Sequence, residues 1–126
     1  MKVWIISLGC LISFLIVGSL VQSSLERAAD RLNHQLTKVE RELVARDWEQ
    51  SLRELDKLQK SWEKTKPYWA VLTNHKEMDL IEEALIKTIK AISSQSYADA
   101  RIHLGLLHGF IKHIPEREKF SLVNVF

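Results

Sequence analysis

Residues 25–43 read LERAADRLNHQLTKVEREL, and Leu25, Ala29, Leu32, Leu36, Val39 and Leu43 recur within them at alternating steps of four and three. In a helix of 3.6 residues per turn this spacing gathers the apolar side chains on one face and the charged ones on the other. A half-buried strand would alternate at every second residue, which this stretch does not. The predicted element is an amphipathic helix that must bury one side against other helices. Nothing between Gln22 and Arg46 would stop it, so it can continue unbroken from the segment before it.

That segment, Val3–Val21, reads VWIISLGCLISFLIVGSLV and carries no charge. At about 1.5 Å of rise per residue, a run of this length matches the hydrocarbon thickness of a bilayer. A secretory signal has a shorter apolar core of about 7–15 residues and a small-residue cleavage site. Val21-Gln22-Ser23 is a poor cleavage site, and a lipoprotein signal would close on its cysteine, whereas Cys10 comes too early. The expected organisation is a membrane anchor over 1–21 and a helical domain over 22–126, whose last residues, 116–126, form an apolar tail. Trp4 suits the membrane boundary. Lys2 beside the N-terminal amine favours a cytoplasmic N-terminus. Arg27, Arg31, Lys38 and Arg41 argue the other way, but long hydrophilic domains translocate largely regardless of charge. The expected location is the cell membrane, single-pass, with the domain outside the cytoplasm.

Downstream, Asp47 with Gln50 three residues later fits a capping box, which starts a second helix near Trp48 with a stripe of Trp48, Leu52, Leu55, Leu58 and Trp62. Pro67 disfavours the helical conformation at Lys66 and is expected to end that helix. A third is expected from about Tyr68 to Ile92, with Val71, Met78, Ile81, Leu85, Ile89 and Ile92 inward. Residues 93–96, Ser-Ser-Gln-Ser, supply a turn and helix caps. A fourth helix then carries Tyr97, Ala100, Leu104, Leu107, Ile111 and Ile114 until Pro115 closes it. Short connections make neighbouring helices antiparallel. The predicted fold class is all-α: a single N-terminal transmembrane helix followed by a small antiparallel helical bundle of two hairpins. A shift of 49 residues superposes the two hairpins, Trp48 on Tyr97 included. Since 49 is seven heptads, any two heptad stripes would match, and a true repeat remains one of two alternatives.

Charge and motifs exclude several function classes. Of 18 Lys and Arg only Lys2 precedes Gln22, so the rest nearly balance 16 Asp and Glu. Nucleic-acid binders concentrate basic residues on one face, so no nucleic-acid partner is expected. The lone Cys10 can form no internal disulfide. Gly-rich phosphate loops, nucleophile elbows, CxxC and HExxH are absent, so neither an enzyme nor a cofactor is expected.

Three features could carry binding. His75, Asp79 and Glu82, spaced i, i+4, i+7, share a helix face, and a hairpin turning near residue 95 would set Glu82 level with His108 and bring His75 towards His113. Carboxylates and imidazoles meeting between helices are how bundles hold metals, although a solvated helix edge has the same pattern. Gly105 and Gly109 form GxxxG, which points to another helix packed close to the backbone, with a partner-docking groove as the alternative. The tail residues Phe120, Leu122, Val123, Val125 and Phe126 are apolar where free termini are polar, so the tail is expected to pack on the bundle or dock a partner. Trp48, Trp62, Tyr68 and Trp69, at helical spacing beside leucines, read as core, with a ligand platform as the alternative.

Trp48, Trp62, Pro67 with Trp69, His75-x-Glu77-x-Asp79, His113-Ile114-Pro115-Glu116 and the ending Ser121-Leu122-Val123-Asn124-Val125-Phe126 are together similar to a family of short membrane-anchored Firmicutes proteins known as domain of unknown function 4363. The resemblance spans nearly the whole chain. It implies a bacterial single-span helical protein of a spore-forming lineage, and it supplies no activity and no functional residues. The leading expectation is a non-catalytic protein, held in the lipid bilayer, whose bundle binds another membrane or envelope protein; self-association is a further option. The runner-up is a small-ligand or metal sensor built on His75, Asp79, Glu82 and His108.

Overall fold

The computed structural model describes the backbone of residues 1–125 and the side chains of residues 1–117. Four helices follow in chain order: α1 (Lys2–Val44), α2 (Trp48–Leu72), α3 (His75–Ser93) and α4 (Tyr97–Val125). There is no strand among the described residues. α1 packs on α2 and α4, while α3 packs on α4 and less extensively on α2. The four therefore stand in a square, each antiparallel to both neighbours. Leu32, Leu58, Trp62, Ile81, Leu85, Leu107 and Ile111, drawn from all four helices, converge at the centre with no room for water between them.

α1 has two halves with different surroundings. Its N-terminal part is long and apolar enough to cross a membrane, and none of that stretch is buried. The first buried residue is Leu25, and the six stripe residues Leu25, Ala29, Leu32, Leu36, Val39 and Leu43 are all at most 4% exposed. Where α1 leaves the bundle, Gln22 Nε2 donates to the Pro115 carbonyl at 2.8 Å and ties α4 to the root of the apolar segment.

The connections α1–α2 and α3–α4 have the same geometry. Arg46 and Gln95 both take positive φ, 61° and 56°. In each turn two backbone N–H groups close back onto the preceding helix: Arg46 to Leu43 and Asp47 to Glu42 in one, Gln95 to Ile92 and Ser96 to Ala91 in the other. This is the Schellman arrangement, which satisfies carbonyls that a helix end would leave bare. The equivalent residues lie 49 apart, the same shift that superposes the sequences. Turn geometry has no heptad period, so this match supports a repeated hairpin independently of the stripes. As expected, the Asp47 side chain caps α2 by accepting from Gln50 N at 3.1 Å.

The two prolines do not act as expected. Pro67 lies inside α2, which runs on to Leu72, and Pro115 lies inside α4, which runs on to Val125. A proline within a helix costs about 3 kcal/mol through one lost hydrogen bond and a clash. Continuing α2 places Trp69 seven residues after Trp62 on the same face, 1% exposed, with the two rings edge-on at 5.7 Å. Burying the 150–250 Å² of an indole contributes roughly 4–6 kcal/mol, enough to outweigh the proline. The third helix consequently starts at His75, capped by Asn74 accepting from Lys76 N, rather than near Tyr68. Val71, expected inward, is 84% exposed on α2, and Tyr68 is 75% exposed.

Candidate functional site

The polar residues of α3 divide between solvent and tertiary contacts. His75 opens the helix and is exposed, as is Asp79 one turn later. Glu82 is half-buried and forms an ion pair with Lys66 of α2. His108 is exposed on α4, and His113, also exposed, lies 3.3 Å from Glu116 on its own helix. No group of three or more His, Cys, Asp or Glu side chains among the described residues stands where it could hold a metal ion.

Glu77, which spacing alone did not single out, is half-buried and paired with Arg117 of α4 across the two helices. It lies in the first turn of α3, where a carboxylate also complements the helix dipole. Arg101 of α4 also pairs with Glu40 of α1 at 3.7 Å, while Arg53–Glu49, Lys60–Asp56 and Lys87–Glu83 join neighbouring turns on the surface and contribute a few tenths of a kcal/mol each at most. The Lys87 hydrogen bond, and then its charge, holds the Glu83 carboxyl below the usual range.

α4 carries a face that none of the described residues covers. A Cβ added to Gly105 or to Gly109 would meet nothing within 4 Å, so these glycines do not sit under a neighbouring helix as the GxxxG spacing predicts. The cause is angular: the inward stripe of Leu104, Leu107, Ile111 and Ile114 turns the glycine pair away from the core. Ile102 and Leu106 beside them are 58% and 46% exposed. The result is a helix surface with low relief, apolar shoulders and an accessible backbone. The tail residues Phe120, Leu122, Val123, Val125 and Phe126 lie outside the described side chains, although the helix itself continues to Val125.

At the end of the bundle remote from the apolar segment, Arg46 lies over the Tyr97 ring at 3.5 Å from its centroid, and Arg101 donates to the Tyr97 hydroxyl. This stacks the first turn on the start of α4. Trp62 and Trp69 are core as expected, Trp48 is half-buried, and Tyr68 instead faces outward.

A family model described as Domain of unknown function (DUF4363) matches residues 19–125. No curated protein and no solved structure matches the chain.

Proposed function

The chain belongs to the DUF4363 family, and we propose that it is a non-catalytic, membrane-anchored adaptor whose bundle docks a helix of another membrane or envelope protein. The observation that carries this reading is the uncovered face of α4, where Ile102 and Leu106 flank two glycines with open space above them. In a helix interior each glycine costs about 1 kcal/mol relative to alanine, and here no internal contact offsets that cost. A partner helix that approaches the bare backbone would supply the offset, as small-residue faces do in helix pairs. The apolar half of α1 supports a single-pass location and restricts partners to those within reach of the membrane. On this reading the bundle lies outside the cytoplasm.

The test is capture from detergent-solubilised membranes with the full chain, its Gly105→Leu and Leu106→Glu variants, and Leu80→Glu on the exposed face of α3 as control. One reproducible partner, retained by the control and lost by both α4 variants, is expected. Finding no reproducible partner, or equal loss in all three variants, removes the proposal.

A further inference from the structure

Two grooves on the α1–α2 side share Leu25 and Leu72 and so form one continuous channel along α1. The lower part, about 240 Å³, lies against the apolar segment and is walled by Val17, Gly18, Val21 and Leu72 with no charged residue. The upper part, about 490 Å³, is floored by Leu25, Ala28, Leu32 and Trp69, but its rim is Ser24, Arg31, Lys64 and Tyr68. No carboxylate among the described residues lines either part. Arg31 and Lys64 have no ion-pair partner among the described residues, and the Ser24 and Tyr68 hydroxyls have no hydrogen-bond partner among them. Farther from the anchor, Gln35 Oε1 is buried with no partner while its Nε2 donates to Ser61.

We infer that this channel binds one anionic phospholipid, one of its two acyl chains against the lower groove and its phosphate between Arg31 and Lys64. The inference rests on the membrane-anchored reading above. The polarity gradient, apolar at the anchor and then cationic with hydroxyl donors, follows that of a phospholipid leaving the bilayer. Arg31 stands ten residues, about 15 Å, beyond Val21. Side chains on a helix lean towards its N-terminus, which here directs the guanidinium back to the headgroup layer. Two cations in a groove that no described carboxylate lines select a phosphate diester whose net charge is negative over a zwitterionic headgroup. A glycerol hydroxyl above the phosphate would give Gln35 Oε1 the donor it lacks. Occupancy would also cover the Tyr68 ring and Leu72, and so hold the bundle at a fixed angle to the membrane.

The experiment measures lipid retention by the full chain in detergent micelles, using native mass spectrometry with phosphatidylglycerol or phosphatidylcholine as probe. One phosphatidylglycerol per chain is expected, held more tightly than phosphatidylcholine. At about a factor of five to six for each basic residue near an anionic headgroup, Arg31→Gln with Lys64→Gln should weaken retention about thirtyfold. Lys57→Gln with Lys60→Gln, elsewhere on α2, should leave it unchanged. Equal retention of the two lipids, an unaffected Arg31/Lys64 variant, or equal loss in the control overturns the inference. Displacement by soluble glycerol phosphate at the same concentration would overturn it in favour of a free phosphate ligand. Release of the wild-type chain by carbonate washing would remove the anchored reading and this inference with it. Firm membrane retention without headgroup preference would remove this inference alone.

Discussion

Replacing Gly105 and Gly109 by alanine separates stability from docking, because the two effects have opposite signs. Neither new methyl meets an atom within 4 Å, so no steric penalty enters. Each substitution relieves the backbone entropy that glycine gives up in a helix interior, about 0.8–1.0 kcal/mol. The positions are one turn apart and not fully independent, so the pair should gain about 1.5–2 kcal/mol. At about 2.1 cal/mol/K of unfolding entropy per residue, a bundle of roughly a hundred residues should then melt ~7–9 °C higher. The assay is thermal unfolding of the full chain in micelles, followed by the fluorescence of the Trp62–Trp69 pair, whose edge-on packing is lost on unfolding. It is run over a dilution series so that self-association shows as a concentration-dependent midpoint. Partner capture is measured on the same variant and should fall, because two methyl groups hold a partner helix away from the backbone. A lower melting temperature would mean that something inside the fold already covers this face, and the argument from exposed glycine would be wrong. A higher melting temperature with undiminished capture would keep the fold as described and move the docking surface elsewhere.

Trp62→Ala should cost about 3–5 kcal/mol in denaturant unfolding, the usual penalty for emptying a buried aromatic site, whereas exposed His75→Ala should stay within about 0.5 kcal/mol; the reverse order would exchange core and site. Gln95→Gly should stabilise by about 1 kcal/mol by relieving the 56° φ, while Arg46→Gly should gain less because it also removes the guanidinium from the Tyr97 ring. Deleting residues 120–126 is expected to lower the melting midpoint, since each large apolar side chain buried there would contribute about 1.5–3 kcal/mol; unchanged stability with loss of a partner would make the tail a docking segment.

What the sequence made legible was whatever depends on local spacing. The stripe from Leu25 to Leu43, the Asp47 cap and the turn after Ser93 follow from helix period and side-chain chemistry within a few residues, and all three are present. The α2–α3 boundary departs from the sequence expectation because the proline rule is local while the burial of Trp69 against Trp62 is not. Two signals point to the observed boundary: Trp62 and Trp69 are seven apart, as one helix face requires, and Asn74 is a good helix-capping residue, which in the structure accepts from Lys76 N at the start of α3. Spacing also placed His75, Asp79 and Glu82 on a common face without saying what that face meets; Lys66, across on α2, takes Glu82, and the other two are left to solvent.

The glycine pair shows how far periodicity can be pushed. The GxxxG spacing points to internal packing because small residues at that spacing suit close helix approach, yet its direction is fixed by the stripe that shares the helix. Leu104, Leu107, Ile111 and Ile114 define the inward side of α4, and about 100° per residue sets Gly105 and Gly109 off that side. That angle was available in the sequence alone. Core-forming positions in a bundle this small announce themselves by falling on a stripe. Gly105, Gly109, Ile102 and Leu106 fall off it and make no core contact among the described residues. An off-stripe residue that is costly to its own helix and apolar in water is therefore the place where stability cannot be the reason for its presence. In α4 it is also where the structure leaves the backbone bare.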